Sequence, residues 1–245
     1  MMISAWHLLW IIPVSVMIGY LIAAMMVAAV SAKAQFEPGT FSIQPKAGFS
    51  VTWLSNMPDL PMSQAGFNSD LDKSATIGAL LGAEAEYQLT RQFSLAAGVN
   101  YSLQGSGWKD TDFAVAGQVV KLQDAKIELG YVNVPVTANY YLFQGFAVKA
   151  GVQFGFLTNA SVKATTKTTI SGVDQKNESD TDFMDECKKF DISIPMGVSY
   201  QFKVPVTLDL RYNLGLTKVN KESYPGEDDY KNNVIQLTVG YKFAL

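Results

Sequence analysis

The 245-residue chain has a single cysteine and a single histidine, and both scarcities limit its chemistry. Cys187 alone cannot form an internal disulfide framework. His7 lies in an apolar N-terminal run, so the rest of the chain has no histidine for a Ser-His-Asp triad, a Cys-His pair or a histidine-based zinc site. We therefore predict neither an enzyme nor a cofactor or metal site.

Charge is also scarce. Charged residues make up 17% of the chain and the net charge is −3, whereas soluble domains carry about 25% charged residues. Nucleic-acid binding requires a basic patch, so it is not expected here.

The N-terminus contains no charged residue from 3 to 30 and ends in Ala32-Lys33-Ala34, a small-x-small pattern typical of signal-peptidase sites. No basic residue precedes the run, which is long enough to span a bilayer as a helix. We interpret residues 1–34 as a signal peptide; a retained apolar anchor helix or a misplaced start codon is the alternative. Residues 35–245 form the second predicted domain, which is exported in either case.

Strict alternation of apolar and polar residues dominates that domain. NVIQLTVGYKFAL, the closing stretch, places Ile235, Leu237, Val239, Tyr241 and Phe243 on one face. The pattern predicts eight strands in all, the fourth with a phase slip near Tyr131-Val132 that suggests a bulge: 41–53, 77–89, 93–103, 127–142, 146–156, 190–202, 206–216 and 235–243.

The connections alternate between short and long. Three are tight turns, near 90–92, 143–145 and 203–205, whereas the other four are predicted to be long polar loops: 55–73, 106–126, 163–189 and 217–232. An even strand count with short turns at one end and long loops at the other is typical of a bacterial outer-membrane barrel.

The polar faces of the strands indicate which side is inside. They carry four cations and four anions, predicted to pair as a lumen charge network: Lys46, Glu84, Glu86, Lys149, Asp191, Asp209, Arg211 and Lys242. The same faces carry most strand glycines, which weaken a water-facing sheet but make room beside long side chains in a narrow lumen. Aromatic residues gather toward the strand ends, as in the interfacial girdles of membrane barrels. A soluble two-sheet sandwich is the alternative, and it explains neither feature.

Residues 36–245 resemble the PorT-type family of outer-membrane β-barrel proteins of Gram-negative bacteria. Six segments carry the resemblance: AAGVNYSLQG (96–105), YVNVPVTANYYL (131–142), AGVQFGFLTNASVK (150–163), DISIPMGVSYQF (191–202), LRYNLGLTKVN (210–220) and IQLTVGYKF (235–243). The resemblance implies a single eight-stranded barrel in the outer membrane, with some members tied to protein secretion. It implies no catalytic residues.

Three further features have a functional and a structural interpretation. The lumen cluster of Asp209 and Arg211 with Glu84 and Glu86 could be a polar path for protons or small ions, but a paired structural network that fills the lumen is expected. The acidic segments DTDFMDE (180–186) and GEDDY (226–230) could hold Ca²⁺, but neither has EF-hand spacing, so solvated loops are expected. Cys187, beside Lys188 and Lys189, could form a mixed disulfide, or be an unreactive thiol.

The sequence thus predicts an all-β, eight-stranded antiparallel up-and-down transmembrane barrel in the bacterial outer membrane, preceded by an N-terminal apolar helix. Its predicted role is structural or interactive, with a filled lumen and long extracellular loops that bind secretion or surface proteins. A narrow channel for ions or small solutes is the alternative. We expect a monomer surrounded by outer-membrane lipid, with Tyr241 and Phe243 as the signal read by the barrel-assembly machinery.

Overall fold

The computed structural model describes residues 37–56, 71–115, 118–170, 173–221 and 229–245. The predicted signal peptide lies outside these residues, as do 57–70 and 222–228 of two predicted loops. Within the described part, no helix has the length and apolar character to cross a membrane.

Twelve strands and one short 3-10 helix, Met184–Glu186, make up the described fold. Their alternating side chains favour extended backbone throughout. The strands are β1 Phe41–Ser55, β2 Lys73–Ser74, β3 Thr76–Gln88, β4 Phe93–Trp108, β5 Thr111–Val115, β6 Gln118–Phe143, β7 Phe146–Ile170, β8 Val173–Asp182, β9 Phe190–Gln201, β10 Val206–Lys218, β11 Lys231–Tyr241 and β12 Phe243–Ala244.

Eight of these strands close into a ring, each antiparallel to the next: β1, β3, β4, β6, β7, β9, β10 and β11. The ring closes between the first and last members, where Lys46 lies opposite Gly240 and Ser55 opposite Lys231. The predicted eight-stranded up-and-down barrel is confirmed. We call the end with the three short turns the turn end, and the opposite end the loop end.

The wall is apolar outside and polar inside, as predicted. Outward side chains such as Leu81, Val99 and Val239 are more than half exposed. Inward side chains are mostly polar or charged, and Ser50, Thr52 and Ser94 are completely buried. This inversion of a soluble protein's pattern places lipid against the outer surface.

Aromatic side chains mark two levels on the outer surface. At the turn end, Phe41 lies opposite Tyr87 and Phe93 lies opposite Tyr140 on neighbouring strands. At the upper level, Trp53 stacks on Tyr212 and Tyr101 shares its level with Val132 and Phe156. We place the membrane-spanning segments between these two belts; on β6 they correspond to residues 132–140, close to the roughly 9–11 residues that a tilted strand needs.

Two predicted loops are wrong in part. Residues 106–126 and 163–189 contain β5, the first third of β6, the last third of β7 and β8, which pair as antiparallel hairpins. These segments lack a continuous apolar alternation because they stand beyond the upper belt. Backbone hydrogen bonds, which do not depend on side-chain polarity, hold them as strands.

The predicted phase slip coincides with a register shift. Gly130 of β6 lies opposite Asn159 of β7, whereas Tyr131 lies opposite Leu157, so Thr158 is the extra residue. The Thr158 hydroxyl donates to the Gly130 carbonyl at 2.9 Å. The bulge is therefore on β7, and β6 keeps its alternation while the residues facing inward change from polar to apolar.

Candidate functional site: the barrel interior

Five charged side chains cross the middle of the lumen, and we call them the charge layer: Lys46, Glu84, Lys149, Asp209 and Arg211. Glu84 accepts hydrogen bonds from Lys46 and Lys149, each at 2.8 Å, and from Arg211 at 3.0 Å. Asp209 accepts from Lys149 at 2.8 Å and from Arg211 at 3.3 Å. Every side chain in the layer is at most 7% exposed, so each charge depends on its partners rather than on water.

The position of Glu84 shows that these ion pairs run across the lumen. Glu84 is on β3, Lys149 on β7 and Arg211 on β10. Two strands of the ring separate β3 from each of the other two strands. The carboxylate therefore ties opposite parts of the wall together.

Small residues beside the long ones make this layer possible. Lys46 is flanked on its neighbouring strands by Gly82 and Gly240, and Arg211 is flanked on one side by Gly197. A Cβ on Gly240 would lie 2.3 Å from the Nε2 atom of Gln44, which crosses that position. The glycines thus leave space in a lumen that eight strands can only just enclose.

A second cluster lies nearer the turn end. Lys242 donates to Glu86 at 2.7 Å, and the carboxylate also accepts from the Tyr141 hydroxyl at 2.5 Å and from Ser94 at 2.6 Å. Lys242 lies between β11 and β12, so its side chain anchors this closing segment to the lumen. Ser94 and Tyr141 were missed by the sequence analysis, since a hydroxyl gives no charge signal.

Asp191 does not join either cluster, contrary to the prediction that all eight charges would form one network. It accepts a short hydrogen bond from Thr217. Gly197, which lies beside Arg211, is six residues further along β9, or about 20 Å at the rise of a strand. Like the other seven charged residues, Asp191 lies on the polar face of its strand. It differs from them in its depth in the barrel.

Above the charge layer lies an amide layer of neutral polar side chains. Asn133 donates to Asn100 at 3.2 Å and to Ser102 at 3.0 Å, and Gln153 donates to Asn133 and Ser193, each at 3.3 Å. Within the described residues, Asn213, Gln153 and Asn100 each retain buried atoms without a hydrogen-bond partner.

A cluster of buried apolar side chains lies toward the loop end, and we call it the apolar cap. It consists of buried side chains from several strands and the connection before β9, with Trp108, Ile127, Phe183 and Met184 packed against it: Leu54, Leu129, Tyr131, Leu157, Ala160, Cys187 and Val219. The apolar residues of each strand were predicted to lie on the outer face, so the alternation gave no sign of this cap.

Cys187 belongs to the cap and is 2% exposed. Burial raises the pKa of its thiol to about 11, so little thiolate forms at neutral pH. This environment favours the unreactive-thiol interpretation over the mixed disulfide.

In the described part of the chain, no group of three or more acidic, histidine or cysteine side chains is arranged to hold a metal ion. Residues 226–228 of the second acidic segment lie outside the described part.

Comparison with known proteins agrees with this architecture. A family model described as "Outer membrane protein beta-barrel domain" matches residues 33–221. No curated protein matches the chain.

Solved structures similar to the chain include three outer-membrane proteins. Ail from Yersinia pestis is 12% identical, with 84% of this chain and 99% of Ail covered and a TM-score of 0.39. Neisserial surface protein A is 15% identical, with 83% and 97% covered and a TM-score of 0.40. OprG from Pseudomonas aeruginosa is 14% identical, with 86% and 98% covered and a TM-score of 0.35.

Proposed function

Since the chain belongs to the outer membrane protein β-barrel domain family and lies in the bacterial outer membrane, we propose that it is a non-conducting barrel that binds a partner at the cell surface. The observation that carries the proposal is the charge layer, whose ion pairs join opposite walls of the lumen. The turn end faces the periplasm and the loop end the exterior, as in other bacterial outer-membrane barrels.

The charge layer opposes conduction on energetic grounds. An ion passing Glu84 would have to separate it from three cations that lie 2.8–3.0 Å away. Breaking a buried ion pair costs about 3–5 kcal/mol, and here several would break together. The apolar cap adds a second obstacle, because Leu129 and Leu157 present no polar group to a hydrated ion.

The loop end supplies the binding surface. β5, β6, β7 and β8 form a sheet that continues past the upper belt, where β5 pairs only with β6 and β8 only with β7 among the described strands. Unpaired strand edges can receive a strand from another protein. The resemblance to PorT-type proteins favours a protein of a secretion pathway or of the cell surface as the partner.

The proposed membrane partners follow from the wall. Outer-membrane lipid covers the apolar face, and the ring closes within one chain, which suits a monomer. Tyr241 and Phe243, both on the closing segment and about half exposed, are the residues that we propose the barrel-assembly machinery recognises.

The first test is single-channel conductance of the purified protein in planar bilayers, after a gel shift on boiling has verified that the barrel is folded. We expect no openings from the native protein. Steady, reproducible openings would overturn the non-conducting barrel.

A narrow channel is the second candidate, and the amide layer favours it. Unpartnered buried atoms of Asn213 and Gln153 could exchange hydrogen bonds with a small solute. The Arg211→Ala variant separates the two proposals, because a channel limited by the charge layer should conduct more after this substitution, whereas a capped barrel should remain silent.

The surface role has its own test. Replacing residues 164–179 by a short turn removes most of the β7–β8 hairpin and leaves the membrane-spanning segments intact. We expect a folded barrel, and loss of surface-delivered proteins in the source bacterium. Unchanged delivery in cells that contain the folded variant would argue against the hairpin as the binding surface.

A further inference from the structure

The charge layer carries more positive than negative charge. Its cations are Lys46, Lys149 and Arg211 and its anions Glu84 and Asp209, which leaves a formal charge of +1. The neighbouring cluster of Glu86 and Lys242 is neutral and leaves this excess unchanged. A buried, uncompensated charge is costly, so the layer favours an additional anion.

Hydrogen-bond donors without acceptors lie beside this excess charge. Both carboxylates are bonded to Nη2 of Arg211, whereas its Nη1 is buried and has no partner within the described residues. Nε2 of Gln236 and Oγ1 of Thr238 are also buried and without partners there. Guanidinium and amide nitrogens can only donate, so Arg211 and Gln236 require an acceptor.

The sheet register places these groups side by side. Arg211 of β10 lies opposite Gln236 of β11, and Asp209 lies opposite Thr238. Side chains at directly opposite positions have Cβ atoms about 4.5–5.5 Å apart. On the other side of Arg211, Gly197 has no side chain to occupy the lumen.

We propose that the lumen holds a small monovalent anion, with the size and charge of chloride, between β10 and β11. Arg211 Nη1, Gln236 Nε2 and Thr238 Oγ1 donate to it, and its charge neutralises the layer. The anion is a resident ligand that stabilises the barrel, which goes beyond the proposed surface role and does not depend on it.

The direct test is anomalous diffraction from crystals of the whole protein grown or soaked in bromide. We expect a bromide peak within hydrogen-bonding distance of Arg211 Nη1. The Gln236→Glu variant, whose carboxylate would occupy the same position, should show no peak. A native lumen without bromide there, or an undiminished peak in Gln236→Glu, would overturn the proposal.

A solution measurement uses the thermal midpoint of the folded barrel in chloride and in gluconate, an anion much larger than chloride, at equal ionic strength. The native midpoint should rise with chloride, by on the order of a few degrees per tenfold increase above the dissociation constant. Gln236→Glu should remove this dependence and Thr238→Val should weaken it.

Thr207→Val is the matched control, because Thr207 is also a buried lumen threonine on β10 with an unpartnered hydroxyl, yet lies outside the donor group. It should keep the chloride dependence. Equal dependence in Thr207→Val, Thr238→Val and Gln236→Glu would show that chloride acts elsewhere. Conductance and bromide binding are separate readouts, so failure of one proposal is distinguishable from failure of the other.

Discussion

The two halves of β6 show opposite ways of building the same barrel. Between the belts, Asn133 and Asn139 face inward while Val136 and Tyr140 face outward. Beyond the upper belt the inward face carries Leu129, whereas Glu128 forms ion pairs with Lys126 of the same strand and with Lys163 of β7. One strand therefore changes from a membrane pattern to a soluble pattern without changing its alternation.

The medium around each half decides which residues the strand turns inward. Lipid accepts apolar side chains, so polar groups between the belts must pair inside the lumen. Beyond the belt, water accepts Glu128 and Lys163, so apolar side chains gather inside as the cap. The change occurs at Gly130–Tyr131, beside the β7 bulge.

The largest expected effect comes from altering the outer face of the closing strand. Tyr241→Ser with Phe243→Ser should leave unassembled protein in the periplasm, because the proposed recognition signal is lost. Phe41→Ser with Tyr87→Ser is the control, since these residues belong to the same belt and have similar exposure. Fractionation and the gel shift on boiling measure assembly; equal assembly of both variants would contradict the signal.

Replacing Arg211 tests how much the charge layer contributes to the stability of the barrel. Arg211→Ala should lower the free energy of unfolding by about 3–6 kcal/mol, because it removes the buried hydrogen bonds to Glu84 and Asp209, and hydrogen bonds to charged groups contribute about 1.5–3 kcal/mol each. Leu210→Ala, one residue earlier and facing lipid, should cost much less. Urea unfolding in detergent micelles checks both; comparable losses would mean that the charge layer adds no stability.

Two buried tyrosines, one in each half of β6, allow the same Tyr→Phe substitution to be compared between the halves by its effect on stability. Tyr141→Phe should cost about 1.5–3 kcal/mol, because the hydroxyl donates to the ionised Glu86. Tyr131→Phe should be neutral or slightly stabilising, since its hydroxyl is buried in the cap without a partner among the described residues. Unfolding midpoints of the two variants, measured in parallel, show which substitution costs more stability. A larger loss in Tyr131→Phe than in Tyr141→Phe would contradict the placement of Tyr141 in the charged cluster and of Tyr131 in the cap.

The smallest effect concerns the solvated half. Glu128 lies four residues beyond Val132, or roughly 13 Å from the upper belt, and the hydrogen bond from Lys163 holds the pKa of its carboxyl below the usual value. Its stabilising contribution, below about 1 kcal/mol for a partly exposed pair, is therefore present above the unfolded carboxyl's pKa near 4.3. The contribution is lost as the pH falls through the lower pKa that the Glu128 carboxyl has in the folded protein.

The native protein should lose slightly more stability than Glu128→Gln when the pH is lowered from 6 to 3, as measured by urea midpoints. Identical pH profiles would show that the pair contributes nothing. Lys176 and Glu178, on the adjacent hairpin and more than half exposed, offer a second pair for which no measurable effect is expected.

Much of the barrel could be predicted from local patterns. The charged residues on the polar faces of six strands were predicted to point inward, and the glycines that share the polar faces indicated a narrow lumen. Asp191 could not be excluded from the network in the same way, because alternation reports the face of a strand and carries no information on depth. The cap was equally hidden, since Leu129 and Leu157 alternate just as the lipid-facing residues do.

The amino-acid sequence is sufficient to predict eight alternating strands, apolar faces that point outward between the belts and three short turns. These are local properties, encoded every two residues and at each turn. The folded ring was needed to show that Glu84 meets Lys149 and Arg211, that Tyr131 lies in a cap and that two predicted loops contain hairpins. Ring closure and strand register bring those residues together, and both depend on all eight strands at once.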